Sequence, residues 1–445
     1  MCILRVSVIA ALAAAGIAFG FAAGDGTANN PYQISTPDHL EAVNNDLSAH
    51  YVLKNDIDLS ARTYDRAVIA PDTDYTDSDF NGSLFSGSFD GAGYKILNLT
   101  VDTSNVTKDY PRYLGLLGKI DGGEVRNLGI ENAQITGGDN SRYLGGLCGY
   151  NREGTITNCY ATSDISGFVY PGGLCGYNDD GIITNCYVTG SVSGGDNSYY
   201  PGGLCGYTSG TITNCYATGS VSGGDRLGGL CGWNSNGTIE NCYATGSVSG
   251  GDDSHRLGGL CGFNSGTIAS SYATGSVSGG SHLGGLCGYN YEGTIRNCYA
   301  TGSVSGKRNL GGLCGVNLGT ITSCFWDKEA SGIAYSYGGT GITTAQMQTL
   351  DTFTSAGWDY VNEDTNGQMD LWYQHAGEYP KLFWQAIPGD ISYDGYVGEA
   401  DMIIMAEQWL QAPPEQTRLE ADSNFDEYVD ILDFAIFSEN WLLEN

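Results

Sequence analysis

Two stretches near the C-terminus place oxygen-bearing side chains at a spacing that wraps a short loop around a cation. The first is DISYDGYVGEAD, Asp390 to Asp401, and the second is DSNFDEYVDILD, Asp422 to Asp433. Both put oxygens at loop positions 1, 3, 5 and 12, with a Tyr at position 7 whose backbone carbonyl would serve. Calcium takes six to eight oxygens in such a loop. The first set is Asp390, Ser392, Asp394, the Tyr396 carbonyl and Asp401. The second is Asp422, Asn424, Asp426, the Tyr428 carbonyl and Asp433, with Asp430 reaching in through water. A helical stretch follows each loop, MIIMAEQWL and FAIFSENWL, so the unit recurs after 32 residues with Trp409 and Trp441 at matching places. From Gly389 onward, 57 residues hold 14 acidic side chains and one basic one, Arg418. Two calcium ions are the expected cofactors. Glu427 stands where the first loop has Gly395, and Ser392 is a weak ligand, so the two sites are not equally built. An acidic, solvated helical hairpin without metal is the alternative.

Cysteine is the next residue type that could do chemistry. LGGLCGYNREGTITNCYATSDISG, from Leu144, returns from Pro171, Pro201, Leu227, Leu257, Leu283 and Leu310, a period of 26 to 30 residues. A degenerate copy, YLGLLGKIDGGEVRNLGIENAQITGG, precedes these seven and puts Leu117 where Cys148 stands and Leu128 where Cys159 stands. In the fifth copy the second cysteine is Ser271. A position that accepts Leu, Cys and Ser is interior and space-filling. No His lies at a fixed spacing from these cysteines, which argues against zinc, and seven equivalent nucleophiles make no catalytic sense. Two readings stay open, a buried thiol ladder and a set of disulfides in an exported chain. In-register parallel neighbours hold their Cβ atoms about 4.8 Å apart, wider than a disulfide spans.

Aromatic residues offer binding chemistry. Tyr160, Tyr187, Tyr216, Tyr243, Tyr272 and Tyr299 each follow a second-cysteine position, with Phe325 last. If the cysteine points inward, the next side chain points outward. The column is a candidate sugar-stacking site, or a set of rings that stack on one another and stiffen the molecule. The links FVY, GDNSYY, GDR, GDDSHR, GSH and KRN vary between copies and emerge at one rim. Trp326, Trp358, Trp372 and Trp384 mark a non-repetitive segment, read as an aromatic cap or as a carbohydrate site.

The elements that position these residues follow from the period, which implies a solenoid. Each copy holds short β-branched and aromatic stretches separated by Gly or Asn, and none holds a ten-residue helical pattern. A coil of about three short strands fits. About eleven such coils between Asn30 and Phe325 would stack into a rod roughly 50 Å long. Asn158, Asn185, Asn214, Asn241 and Asn297 would form a hydrogen-bonded ladder at a bend, with Ser270 and Ser323 in that place in two copies. A short helix is expected near Ala345–Phe353 in the segment that closes the solenoid.

Composition limits the rest. The chain has 445 residues, 19 basic against 50 acidic, and a net charge of −31, which argues against nucleic acid and anionic membranes. Its 68 Gly with 10 Pro mean many tight turns. Arg5, the apolar run Val6 to Ala23, and small residues at Ala18, Gly20, Ala22 and Ala23 read as an export leader, with a membrane anchor as the other reading. No later run is long and apolar enough to span a bilayer. The expected divisions are a leader at 1–23, first coils at 30–143, seven repeats at 144–325, an aromatic cap at 326–387 and the acidic module at 388–445.

The copies GGLCGYN…GTITNCYATGSVSG resemble the GLUG repeat of bacterial surface and secreted proteins, and Asn30 to about Phe383 is similar to such proteins throughout. The resemblance implies a right-handed parallel β-helix, extracellular or on the cell surface. The duplicated loop–helix tail resembles a dockerin type I module, which implies docking onto a cohesin-like domain of a scaffold or surface protein through Met402–Trp409 and Phe434–Trp441. The expected function is non-catalytic: adhesion, or binding of carbohydrate or protein. The alternative is a polysaccharide hydrolase or lyase, or an accessory subunit of such a complex. A hydrolase needs two facing carboxylates. The five His form no cluster, and the densest acids outside the tail, Asp56, Asp58, Asp72, Asp74, Asp77 and Asp79, sit in an irregular insertion expected to hold calcium or solvent.

Overall fold

The structure, a computed structural model, describes residues 20–77, 79–106, 110–138, 140–361, 366, 370–386 and 401–404. The calcium-loop ligands expected from the sequence lie outside the described residues, apart from Asp401, which is fully buried.

The chain winds as a parallel β-solenoid. In the coil that begins at Leu144, Cys148–Arg152, Thr155–Thr157 and Tyr160–Ser166 run in succession on three sheets. The sheet containing Thr155–Thr157 has 11 strands and the one containing Cys148–Arg152 has 8. The eleven expected coils are therefore eight complete turns preceded by three partial ones, whose strands Tyr32–Ile34, His50–Leu53 and Ser88–Asp90 extend the longer sheet and whose strands Ile57–Asp58, Lys95–Leu97 and Thr100–Asp102 extend the third, with none added to the 8-stranded sheet. Register is strict: Cys148 pairs with Leu117 on one side and Cys175 on the other, and Ile156 pairs with Val125 and Ile183.

Each strand alternates inward and outward residues, so every coil sends the same side chains inside. Ile156, Ile183, Ile212, Ile239, Ile268 and Ile295 are fully buried, as are Leu147, Leu174, Leu204, Leu230, Leu260 and Leu286. Burying each is worth about 1.5–3 kcal/mol. The paired glycines before each first cysteine permit close stacking, since a Cβ on Gly259 would meet the Gly285 carbonyl of the next coil.

The bends require a left-handed backbone. Asn158, Asn185, Asn214, Asn241 and Asn297 have φ of 53°, 54°, 52°, 53° and 52°, and Ser270 and Ser323 follow at 43° and 48°. Asn tolerates this region better than other non-Gly residues. Its side chain also ties coils together. The amide of Asn185 donates to Asn158 at 3.2 Å, and that of Asn214 donates to Asn185 at 3.1 Å.

The cap departs from expectation in its position. Thr340–Ile342 adds one strand to the third sheet beside Phe325–Asp327. Two short helices, Thr344–Met347 and Leu350–Thr354, replace the single helix expected there. Trp358, Trp372, Phe353 and Leu382 then pack on the outer face of the third sheet, in a cluster with Tyr272, Tyr299 and Phe325 that is separate from the solenoid interior. Trp326 instead belongs to the interior core, and its Nε1 donates to the Ile333 carbonyl at 3.0 Å. The segment thus lies along the outside of the rod as well as across its end.

Candidate functional site

The tyrosine column forms as a continuous stack. Successive ring centroids from Tyr160 to Tyr299 are 4.9, 4.9, 4.8, 5.0 and 4.9 Å apart, with interplanar angles of 7° or less. Coil spacing sets these distances. Rings that face one another use their faces within the column, so ring edges and hydroxyls reach outward. At the N-terminal end the Tyr160 hydroxyl donates to Glu131 at 2.7 Å, and Glu131 pairs with Lys95 at 2.8 Å. Burial, then the Glu131 carboxylate, pushes the Tyr160 phenol up to about 12.

The cap covers the other end. Tyr272 and Tyr299 are buried, with the Tyr272 hydroxyl bonded to Gln385 and the Tyr299 hydroxyl donating to the Pro380 carbonyl at 2.6 Å. Of the six tyrosines expected as ligand contacts, these two lie beneath the cap. Tyr160, Tyr187, Tyr216 and Tyr243 remain partly exposed.

Trp384 stands where cover gives way to exposure. Its indole is 37% exposed, tilted 26° to the rings of Tyr216 and Tyr243 at 6.0 and 5.6 Å, and its Nε1 donates to the Asn241 carbonyl at 3.1 Å. The amide ladder stops at the same point: among the described residues no donor reaches Asn241 Oδ1. A groove of about 360 Å³ results, lined by Asn185, Cys186, Tyr187, Asn214, Tyr216 and Trp384. It offers a half-open indole, two phenol edges and two amides, with no carboxylate in the lining. That set stacks on an apolar ring and hydrogen-bonds hydroxyls.

The cysteines are structural. All thirteen among the described residues are free and buried. They also do more than fill space. Cys186 Sγ accepts the Cys159 N–H at 3.4 Å and donates to the Thr184 carbonyl at 3.1 Å, and Ser271 Oγ does the same toward Cys242 N and the Ala269 carbonyl, at 3.1 and 2.6 Å. This shared role explains why Ser replaces Cys there. Burial pushes the thiols of Cys159, Cys186 and Cys215 well above the ordinary range, which suppresses the thiolate.

A second amide ladder went unnoticed in the sequence. Asn234 donates to Asn264 at 2.8 Å, Asn264 to Asn290 at 2.7 Å, and Asn290 to Asn317 at 2.7 Å, with Asn234, Asn264 and Asn290 fully buried. Its signal was present: an Asn three residues after nearly every first cysteine.

The acids of the insertion do not assemble. Among the described residues no three His, Cys, Asp or Glu are placed to hold a metal. Asp56 accepts the Lys95 N–H at 3.0 Å, Asp58 binds Ser60 N and the Asn98 amide, Asp72 accepts Asn81 N, and Asp77 accepts Asp79 N. These carboxylates accept N–H groups of the chain around them, separately rather than as one cluster.

Fold and register define the class: a parallel β-solenoid of short Gly- and Cys-marked repeats. Six stretches match the GLUG motif, at residues 140–166, 169–193, 197–222, 223–249, 253–278 and 279–305. Halomucin of Haloquadratum walsbyi is 34% identical over 152 residues, covering 32% of this chain and 2% of halomucin. A candidate Gly-rich membrane protein of Evansella cellulosilytica is 34% identical over 142 residues, covering 31% of this chain and 15% of that protein. The matches thus span a small part of either relative. A candidate immunoglobulin A1 protease from Bacteroides ovatus superposes with a TM-score of 0.42 at 20% identity, over 82% of this chain and 95% of that one. An IgA1 protease structure gives 0.35 at 15% identity, over 66% and 21%. No helix among the described residues is long and apolar enough to cross a membrane.

Proposed function

We propose that this chain is a non-catalytic extracellular solenoid that binds glycans in the groove beside Trp384 and so serves adhesion. The observation that carries this reading is the half-exposed indole at the end of an amide-flanked phenol wall. Its Nε1 is engaged inside the protein, so the ring face is what the groove offers. A pyranose presents an apolar face to the indole and hydroxyls to Asn185 and Asn214. Amides and phenols hold such a ring without cleaving it, whereas hydrolysis needs paired carboxylates. A glycan array probed with the full chain tests this: Trp384→Ala and Tyr216→Ala should each abolish the strongest signals. Unchanged binding by both variants, or new reducing ends released from a polysaccharide panel, would reject it.

The acidic tail, on its donor spacing, would hold two calcium ions through Asp390, Ser392, Asp394, Tyr396 and Asp401, and through Asp422, Asn424, Asp426, Tyr428, Asp430 and Asp433. It would anchor the rod to a cohesin-like domain at the cell surface. Calorimetry on the full chain should give two bound calcium ions per molecule, and one or none would remove the anchor.

A further inference from the structure

The rim where each coil enters the 8-stranded sheet carries a feature that the glycan groove does not use. One residue per coil there has a left-handed backbone, from Tyr113 at φ 57° through Tyr200 at 66°, Arg226 at 58°, Arg256 at 65° and His282 at 58° to Asn309 at 52°. This conformation suits Gly or Asn, and only the last coil has such a residue. A bulky side chain held there repeatedly points to a use for the side chain itself. The column is aromatic from Tyr113 to Tyr200, cationic at Arg226 and Arg256, and carries an imidazole at His282.

These side chains lie on a second aromatic column, the outward face of the 8-stranded sheet. Tyr170 meets Tyr177 edge-on at 5.2 Å, and Tyr200 stacks on Trp233 at 5.2 Å. The Arg226 guanidinium sits 4.9 Å over the Tyr200 ring, and that of Arg256 sits 5.5 Å over Tyr289. Arg226 and Arg256 share one carboxylate, Asp225, at 3.2 Å each, and Arg226 also donates to the Tyr200 hydroxyl at 3.0 Å, so the exposed part of each guanidinium is what a ligand can reach. His255 and His282 lie with their rings 6.0 Å apart beside them, and Arg308 is exposed in the coil that follows. Lys307 pairs with the exposed Asp252 at 3.2 Å. Four cations thus meet four carboxylates, Asp196, Asp225, Asp252 and Asp253, on a chain that carries 19 basic residues against 50 acidic ones. The rim is balanced in charge where the molecule as a whole is strongly acidic.

We propose that this rim is a second binding site, separate from the Trp384 groove, for an anionic polysaccharide. Uronate or sulfate groups would take the exposed guanidinium donors of Arg226, Arg256 and Arg308, and the sugar rings would lie along the outer edges of Phe263 and Tyr289, whose rings stack on each other at 5.4 Å. A planar guanidinium matches a carboxylate with two parallel hydrogen bonds. Coils stacked about 4.8 Å apart repeat the donors along the rod, so a polymer lying parallel to its axis meets them in succession.

The test is binding of the full-length chain to polygalacturonate in the presence of a chelator, which removes calcium bridging. Binding is expected, weakening steeply with added salt. Lys307→Gln/Arg308→Gln, with both side chains on the surface, should weaken it by about tenfold or more, and Arg226→Gln/Arg256→Gln further. Lys307→Gln/Arg308→Gln should leave uncharged-glycan signals of the Trp384 groove unchanged, which separates failure here from failure of the groove. Three results would each overturn the proposal: no binding in chelator, undiminished binding by both double variants, or equal binding of the methyl-esterified, uncharged polymer.

Discussion

The Cys148 thiol donates to Cys175 Sγ in the adjacent coil at 3.5 Å, with no disulfide between them. Parallel in-register pairing fixes that relation. It keeps the Cβ atoms about 4.8 Å apart, beyond the roughly 3.8 Å of a disulfide.

Thiol labelling follows from it. The native protein should resist alkylation, because these thiols are buried and the thiolate is suppressed. After denaturation without reductant, every cysteine from Cys148 to Cys324 should label. Mass spectrometry showing bridged pairs would contradict the ladder.

Stability should fall in alkali. The thiols of Cys175, Cys205 and Cys287 and the phenols of Tyr160 and Tyr243 ionise at higher pH in the folded protein than their ordinary 9.0 and 10.0, chiefly because burial disfavours the charged form. The unfolded chain therefore releases protons first as pH rises, and the folded chain binds more. The sign is loss of stability with rising pH. The contribution is complete below 9.0 and fades as pH climbs, for Tyr160 and Tyr243 between 10.0 and about 12. Denaturant midpoints measured across this range should decrease steadily, and a flat profile would show the groups to be solvated.

The interior amide ladder should be costly to interrupt. Asn264 accepts from Asn234 and donates to Asn290, both buried. Asn264→Ala strands a donor and an acceptor and should cost about 2 kcal/mol. Asn264→Thr should cost less, because Thr208 already occupies this column and accepts from Asn178 at 3.1 Å. Equilibrium unfolding of the two variants measures the difference.

The export leader expected at 1–23 would overlap residues that pack into the first coil. Phe21 stacks on Tyr32 at 4.6 Å, and Ala22 N–H and Ala23 C=O bond to Gln33 at 3.2 and 2.8 Å. These residues complete the first coil. Processing after Gly20 would keep them, and processing after Ala23 would remove them. N-terminal sequencing of exported protein should begin at Phe21.

Much of this molecule was legible because a solenoid stacks each repeat on its own copy. Like lies over like, so aligning Leu117 with Cys148 gave a true spatial neighbour, and the Asn at the bends announced both the left-handed turn and its ladder. The Asn264 ladder escaped because an Asn in a strand reads as a turn residue until burial shows otherwise.

The groove was only half legible. The tyrosine column follows from the period, and its outward direction from strand alternation. The arrival of Trp384 beside Tyr216 does not, since the cap has no repeat to act as template and its place depends on burying Trp358 and Trp372 against Tyr299. Sequence alone determined the coil, its register and its interior, where each contact is with a copy of itself. Only tertiary structure decided which rings are covered and which stay open, because that depends on long-range packing between unlike segments.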